Sequence, residues 1–326
     1  MRILVTGATG FIGRYLTETL DEKGYHCRCL VRDINNISEI HKGLKHIEFV
    51  VGDITQPRSL AGITDNIDVV FHLAALLGDS SNRDSDIWNV NVNGTRHLVE
   101  VSSDVQQFIF SSTPGVQGFG YKKATEDLPY GPAGMYEKSK VTAECMVMQL
   151  CAERRIKWSI LRPDFVYGPG DLRRVPLYKR IKSGRMYLIG TGQASISPTY
   201  VTDAVNAFIS CIENKHAYNS IFNVSGEQVT VEYFLKTIAS SFGVPLPTGK
   251  VPSFLAYSGA ALFELVYNRI LGVESPITTS KVRFLTQDHS TDNSKARMLL
   301  DFRSTLTLEQ GVKRTIEWCR RERLFS

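Results

Sequence analysis

The stretch Ile3-Leu4-Val5-Thr6-Gly7-Ala8-Thr9-Gly10-Phe11-Ile12-Gly13 constrains the fold more than any other part of the chain. An apolar, strand-like run breaks directly into three glycines spaced three apart, and a helix-like pattern follows over 11–22. Strand, glycine turn and helix in immediate succession open a βαβ unit. The glycines permit a tight turn and let backbone N–H groups approach an anion held at the positive end of the helix. Gly7, Gly10, Phe11, Ile12 and Gly13 are therefore candidate phosphate-binding positions. Glycine is also the plain choice for any tight turn. The position directly after the first strand favours the binding reading.

The alternation continues downstream. Short apolar runs recur at 27–31, 47–51, 68–72, 108–111 and 158–161, and helices are expected over about 84–103 and 135–154. Strands separated by helical spacers predict an α/β protein with a Rossmann-type, doubly wound parallel sheet. After Arg162 the pattern shifts to Gly/Pro-rich turns, Gly168-Pro169-Gly170 and Gly190-Thr191-Gly192, with shorter elements between them. That predicts a smaller C-terminal substrate-binding lobe over the carboxyl edge of the sheet, where ligands of open α/β sheets bind. The expected division is a cofactor-binding core over 1–165 and a mainly substrate-binding lobe over 166–326, some of whose segments return to the core.

Composition removes competing classes. Of 326 residues 43% are apolar and 22% charged, which is too much core material for a disordered chain. A net charge of +5, from 38 basic and 33 acidic residues, is too mild to suggest a nucleic-acid partner. The six cysteines form no C-x-x-C pair, and Cys27 and Cys29 read as same-face residues of a strand, so a reducing compartment is expected. The chain opens straight into a strand without a signal-peptide pattern, and its longest apolar stretch, 254–273, carries Glu264 and Arg269. A cytoplasmic protein is expected. His72, inside an apolar strand end, reads as a packed residue, and no histidine falls in ligand spacing, so no metal is expected.

Tyr136-Glu137-Lys138-Ser139-Lys140 places a phenol and an ammonium at i and i+4 on one helix face. A neighbouring cation favours phenolate and lowers a tyrosine pKa from its ordinary ~10, which makes Tyr136 a candidate general acid/base. An exposed pair on a surface helix is the commoner meaning of this spacing. Upstream, Ser111-Ser112-Thr113 puts hydroxyls at a strand end, where they could hold a substrate oxygen or simply cap a turn.

Taken in order, these motifs resemble the extended short-chain dehydrogenase/reductases of the epimerase/dehydratase group over nearly the whole chain. Gly52-Asp53-Ile54 resembles the family's adenine-contacting step, Phe71-His72-Leu73-Ala74-Ala75 its H-x-A-A segment beneath the cofactor, and Asn91-Val92-Asn93-Gly94-Thr95 its N-V-x-G-T helix motif. Arg162-Pro163 with Val166-Tyr167-Gly168-Pro169 resembles the segment beside the nicotinamide. The resemblance implies that Thr113, with Ser112 as the fallback, holds the substrate oxygen, and that Tyr136 and Lys140 are catalytic. Lys140 would also bind the nicotinamide ribose and depress the Tyr136 pKa. Asp53, Ile54, Leu73, Ala74, Ala75, Pro163 and Val166 would contact the cofactor, and Asn91 would order the lysine.

Two departures carry information. The position of the ribose-binding acid falls on Val31, followed by Arg32, whose guanidinium suits a 2′-phosphate as in dihydroflavonol reductase; NADP is expected, with NAD as the alternative because Asp33 could still serve a ribose. Where nucleotide-sugar relatives carry a diphosphate-binding arginine, this chain carries Ser197, in a stretch more like the 3β-hydroxysteroid dehydrogenase and dihydroflavonol reductase side. Against that, 172–202 holds Arg173, Arg174, Lys179, Arg180, Lys182 and Arg185 and no acidic residue, which would suit a phosphate, a carboxylate, coenzyme A or a solvated helix face.

The function expected is hydride transfer between a nicotinamide cofactor and a ketone, aldehyde or alcohol on a mainly apolar small molecule. A nucleotide-sugar epimerase or dehydratase is the alternative, and a catalytically idle cofactor-binding regulator ranks last. Phe254, Leu255, Tyr257, Leu262, Phe263, Leu265, Val266 and Ile270 suggest a helix packed into the lobe's core, which would also let the lobe rest on a membrane surface. A homodimer is expected.

Overall fold

Seven parallel strands form the central sheet of the computed structural model, which describes residues 1–37, 43–78, 82–245, 249–267 and 278–325. The strands are β1 (Arg2–Thr6), β2 (His26–Val31), β3 (Ile47–Val51), β4 (Val69–His72), β5 (Gln107–Ser111), β6 (Lys157–Pro163) and β7 (Ser220–Val224). They lie in the order β3-β2-β1-β4-β5-β6-β7, every pairing parallel. The order reverses direction between β1 and β4. Connections leaving these two strands go to opposite faces and open a crevice beyond their carboxyl ends.

Residue alternation along β1 assigns its side chains to the two faces. Ile3 and Val5 pack with Leu16 and Leu20 of α1 (Phe11–Glu22) and with Phe71, while Leu4 packs on the other side with Val70, Phe108 and Phe110. The second face is covered by α2 and α3. Helix α2 is continuous through Asp84–Trp88, Asn89–Gly94 and Thr95–Val101, its middle segment a π-turn, and α3 spans Met135–Glu153. Cys27 and Cys29 both join the first face and are buried, as their spacing suggests, and all six cysteines are free.

The chain crosses back after residue 165. Val166–Tyr167 pairs in parallel with Thr199–Tyr200, and α4 (Val175–Lys182) lies between them in sequence. Helix α5 (Val201–Ile209) then packs Val205 and Phe208 beneath the sheet, and β7 becomes its edge strand. The lobe itself is built from α4, α6 (Val231–Phe242), α7 (Ser253–Glu264), α8 (Thr279–Thr286) and, past the short α9 (Ser294–Leu299), α10 (Leu308–Arg321). No helix among the described residues is long and apolar enough to cross a membrane.

Helix α7 corrects one expectation. Its apolar residues do not fill the lobe's core: Phe254, Leu255, Leu262, Phe263 and Leu265 are 40–68% exposed, and only Ala260 is buried. The apolar positions run around the helix instead of forming one stripe, so a single packed face cannot cover them. Ile270 lies outside the described residues.

One buried ion pair ties α3 to β6. Arg162 Nη2 and Nε donate to Glu144 Oε2 and Oε1 at 2.7 and 2.9 Å, and the Tyr130 hydroxyl donates to Oε2 at 2.7 Å. Both charged side chains are sealed from water. Removing one partner leaves the other charge buried and uncompensated. Glu144→Gln is therefore expected to cost about 3–5 kcal/mol of unfolding free energy in chemical denaturation, whereas Glu144→Leu combined with Arg162→Met should recover most of that loss.

Candidate active site

The glycine turn lies where β1 enters the crevice. Gly7 has φ 75°, which favours glycine, and a Cβ there would sit 2.6 Å from the Ala74 nitrogen; at Gly13 a Cβ would sit 2.0 Å from the Gly7 carbonyl oxygen. No side chain caps the start of α1, and its first turn holds no acidic residue. The orphan N–H groups of Phe11, Ile12 and Gly13 are thus left for an anion. Ile12 and Phe11 pack against Val166 and Val201, which brings the segment after β6 next to the turn.

At the other positions singled out in the sequence, Asp53 caps its own turn, Oδ1 accepting from the Thr55 amide and hydroxyl at 2.8 Å each. Ile54 is buried beneath Gly94. Arg32 is exposed just past β2, while the neighbouring Asp33 carboxylate caps the turn Ile34–Asn36 by accepting from the Asn35 amide. Leu73, Ala74 and Ala75 are half-buried and continue β4 toward the crevice, with Leu73 N donating to Thr6 O at 3.1 Å. Pro163 is buried at the end of β6.

Tyr136 and Lys140 stand on the first turns of α3, whose start is fixed by Glu137 Oε2 accepting from the Gly134 amide at 2.9 Å. Gly78 packs directly against Tyr136, where an added Cβ would meet the Tyr136 Cβ at 2.8 Å. Lys140 is 2% exposed; its Nζ donates to the Ser111 carbonyl at 2.7 Å and lies 4.5 Å from the Phe110 ring centre. Burial lowers its pKa to about 7 against the opposing pull of Glu144. The expected depression of the Tyr136 pKa by Lys140 does not occur in this arrangement. Burial, and after it the Glu137 carboxylate, hold the phenol above its ordinary value, and the cation acting against them is Arg173. The lysine is turned to Ser111 and Phe110, so its charge is used there.

The Thr113 hydroxyl accepts from the Gly115 amide at 3.3 Å, so in this state it caps the turn Pro114–Gln117. The Ser112 hydroxyl is buried without a hydrogen-bond partner among the described residues. An orphaned hydroxyl at the carboxyl end of β5 is a vacant donor and acceptor for a ligand oxygen.

A buried chain of hydrogen bonds joins these parts. Thr6 Oγ1 lies 2.6 Å from His72 Nδ1, His72 Nε2 lies 2.8 Å from Thr95 Oγ1, and Thr95 Oγ1 donates to the Asn91 carbonyl at 2.7 Å. Asn91 Nδ2 donates to Ser139 Oγ at 2.9 Å, and Ser139 Oγ donates to the Tyr136 carbonyl at 2.6 Å. Asn91 also holds the Leu76 amide and carbonyl at 2.7 and 2.9 Å. It therefore positions the residue before Lys140 rather than the lysine itself.

The model of the NAD dependent epimerase/dehydratase family matches residues 3–225, a span that takes in all seven strands of the sheet. The chain belongs to this family. A sterol-4-alpha-carboxylate 3-dehydrogenase (decarboxylating) of Mus musculus is 26% identical, with 96% of this chain and 89% of that protein covered. A 2-alkyl-3-oxoalkanoate reductase of Shewanella oneidensis is 27% identical over 95% of this chain and 84% of its own. In fold the chain is similar to the UDP-glucuronic acid 4-epimerase of Bacillus cereus in complex with NAD, with a TM-score of 0.80, 24% identity and full coverage of both chains. It is an enzyme of the extended short-chain dehydrogenase/reductase group.

For an epimerase/dehydratase-family chain the group to fit to this crevice is a nicotinamide dinucleotide, and the residues suit it. The cradle at Gly7 and Gly13, which a Cβ would fill, and the uncapped start of α1 suit a pyrophosphate; the orphaned Ser112 hydroxyl suits a ligand oxygen at the end of β5. Two residues escaped the motif reading. Glu144 lies at i+4 from Lys140, continuing the same face, so its spacing was a usable signal. Asp164 follows Pro163, buried, with Oδ2 accepting from the Thr291 hydroxyl at 3.0 Å, and burial raises its pKa to about 7. Its partner is 127 residues away, which no local pattern shows.

His72 yields a pH-dependent expectation. Thr95 gives its proton to Asn91 and so accepts from His72 Nε2–H, leaving Nδ1 to accept from Thr6. Burial, followed by the Lys140 charge, lowers the His72 pKa to about 3. The unfolded chain takes up a proton near pH ~6.5 that the folded chain refuses, so this contribution to stability is full above that pH and is lost on acidification toward the folded value. Nitrogen-15 NMR should show the neutral Nε2–H imidazole at pH 8 and still at about pH 4.5.

Proposed function

We propose that this enzyme interconverts a ketone and a secondary alcohol on a mainly apolar small molecule, using NADP(H). The observation that carries the reading is a cavity of about 920 Å³ in the lobe, walled by Phe165, Ile189, Ile196, Phe234, Leu255 and Phe284 among others. A cavity of this size and lining suits a large apolar skeleton. Ser197 bears differently on the nucleotide-sugar alternative than its place in the sequence suggests. It is fully buried, its hydroxyl accepting from the Thr291 amide at 3.4 Å, and its neighbour Ile196 faces the cavity. An apolar side chain there offers no bidentate contact to a diphosphate.

When bound, the nicotinamide gives or takes the hydride at the substrate carbon. Tyr136 supplies the proton at the substrate oxygen. Its pKa, raised by burial, keeps it a phenol near neutral pH, which suits ketone reduction. The Ser112 hydroxyl, together with Thr113 once released from Gly115, would hold the reacting oxygen, and Lys140 would bind the nicotinamide ribose. Tyr136→Phe is expected to lower turnover ~10²–10⁴-fold with cofactor affinity retained, measured on a panel of hydrophobic ketones beside UDP- and dTDP-sugars. Interconversion of a nucleotide sugar by the wild type, with no ketone reduced, would select the epimerase instead.

The choice of NADP rests on Arg32. It is exposed beside the expected ribose site, Val31 offers no acid, and the Asp33 carboxylate is engaged in its own turn. A charge-assisted contact to a 2′-phosphate is worth ~1.5–3 kcal/mol, so wild type should bind NADPH roughly ten- to hundredfold more tightly than NADH, and Arg32→Ala should abolish the difference in a titration of both.

A further inference from the structure

The cavity has a charge pattern that an apolar ligand alone does not explain. Arg173, Arg174, Arg180, Arg185 and Lys281 line it, and among the described residues no acidic side chain does. Arg174 is committed within the protein. Its Nε lies 3.0 Å from Asp171 Oδ2, its Nη2 donates to the Val166 carbonyl at 2.9 Å, and its guanidinium lies 3.8 Å from the Phe165 ring centre. Phe165 is itself held at φ 39°, a strained conformation for a bulky residue, and stacks on Phe284 at 5.0 Å.

Arg173 is differently placed. Asp171, fully buried, accepts from Arg173 Nε at 3.0 Å and from the Arg173 amide at 3.3 Å, which fixes one edge of the guanidinium. Its terminal nitrogens donate no hydrogen bond among the described residues. The same side chain borders the cavity and stands close enough to Tyr136 to oppose the upward shift of the phenol. A guanidinium with one edge anchored and the other open presents the forked geometry that fits a carboxylate.

We propose that Arg173 reads a carboxylate on the substrate, so that the substrate is an apolar oxo acid or hydroxy acid. The inference rests on the oxidoreductase reading above and narrows it. In the reduction the carbonyl carbon gains the hydride from the reduced cofactor, its oxygen gains the proton from Tyr136, and the carboxylate stays unchanged as the handle that orients the ketone.

Equilibrium binding of decanoate and decanamide to the intact enzyme tests the acid site without relying on turnover. Wild type should bind the acid ~10–100-fold more tightly than the amide; Arg173→Gln should bring the ratio to about one, and Arg173→Lys should restore part of it. Amide binding in each variant reports whether the cavity itself is intact. A ratio near one in wild type, or an undiminished ratio in Arg173→Gln, overturns the proposal. Oxidation of 3-hydroxydecanoate with NADP⁺ separates the two readings. If binding discrimination follows Arg173 while neither this acid nor any ketone or alcohol turns over, the acid site stands and the oxidoreductase reading falls.

Discussion

The arrangement of this enzyme depends on a line of hydrogen bonds through its interior, from Thr6 at the end of β1 through His72, Thr95, Asn91 and Ser139 to the backbone of Tyr136. Each group in it has one direction open. The Ala74 amide donates to Thr6 Oγ1 at 3.3 Å, Thr6 in turn donates to His72, and every later donor and acceptor is thereby assigned. Such a chain is stable only when complete, because an unpaired polar group at that depth costs more than the bond it would have made. Its ends are the glycine turn and Tyr136. One end follows β1 and the other opens helix α3, on either side of the reversal in the sheet, and the interior line keeps them in register.

Helix α3 does the complementary work from the other face. Tyr136, Lys140 and Glu144 succeed one another at intervals of four and so share a stripe turned toward the sheet. The glutamate is neutralised by Arg162 and the lysine is held by a carbonyl and an aromatic face, so two of the three ionisable groups are sealed from water and the third, Tyr136, is half-buried beside them. An exposed helix with the same sequence would leave all three solvated. What turns an ordinary Tyr/Lys pair into a site is its burial against β5 and β6.

Much of this was legible in the chain. Six of the seven strands and the helices carrying the site follow from apolar runs and spacers, because parallel buried strands are continuous apolar segments and their connections must be helical. The seventh, Ser220-Ile221-Phe222-Asn223-Val224, was not anticipated. It is short, polar at two positions, and owes its place to Asn223, whose side chain donates to Ala124 at 2.9 Å across 99 residues. The glycine turn and the Tyr136/Lys140 spacing were readable because their chemistry is local. The electrostatics of Tyr136 were not: they come first from burial, then from the adjoining Glu137, with Arg173 on another element opposing both, and spacing along one helix contains neither the burial nor Arg173. Helix α7 shows the same limit in reverse, since an apolar composition predicts burial only when a facing surface exists to receive it.

The position of β7 bears on how the molecule must be assembled as it is made. β6 cannot acquire its outer neighbour until the chain has passed through the whole segment containing α4 and α5, and the returning strand then settles alongside Ser159, Ile160 and Leu161 in parallel register. Parallel partners separated by a long excursion are slow to find one another, because the loop between them has to close before any contact rewards it. An emerging polypeptide stalled short of residue 220 would carry an uncovered apolar edge, a surface on which a second nascent chain or a chaperone would act first.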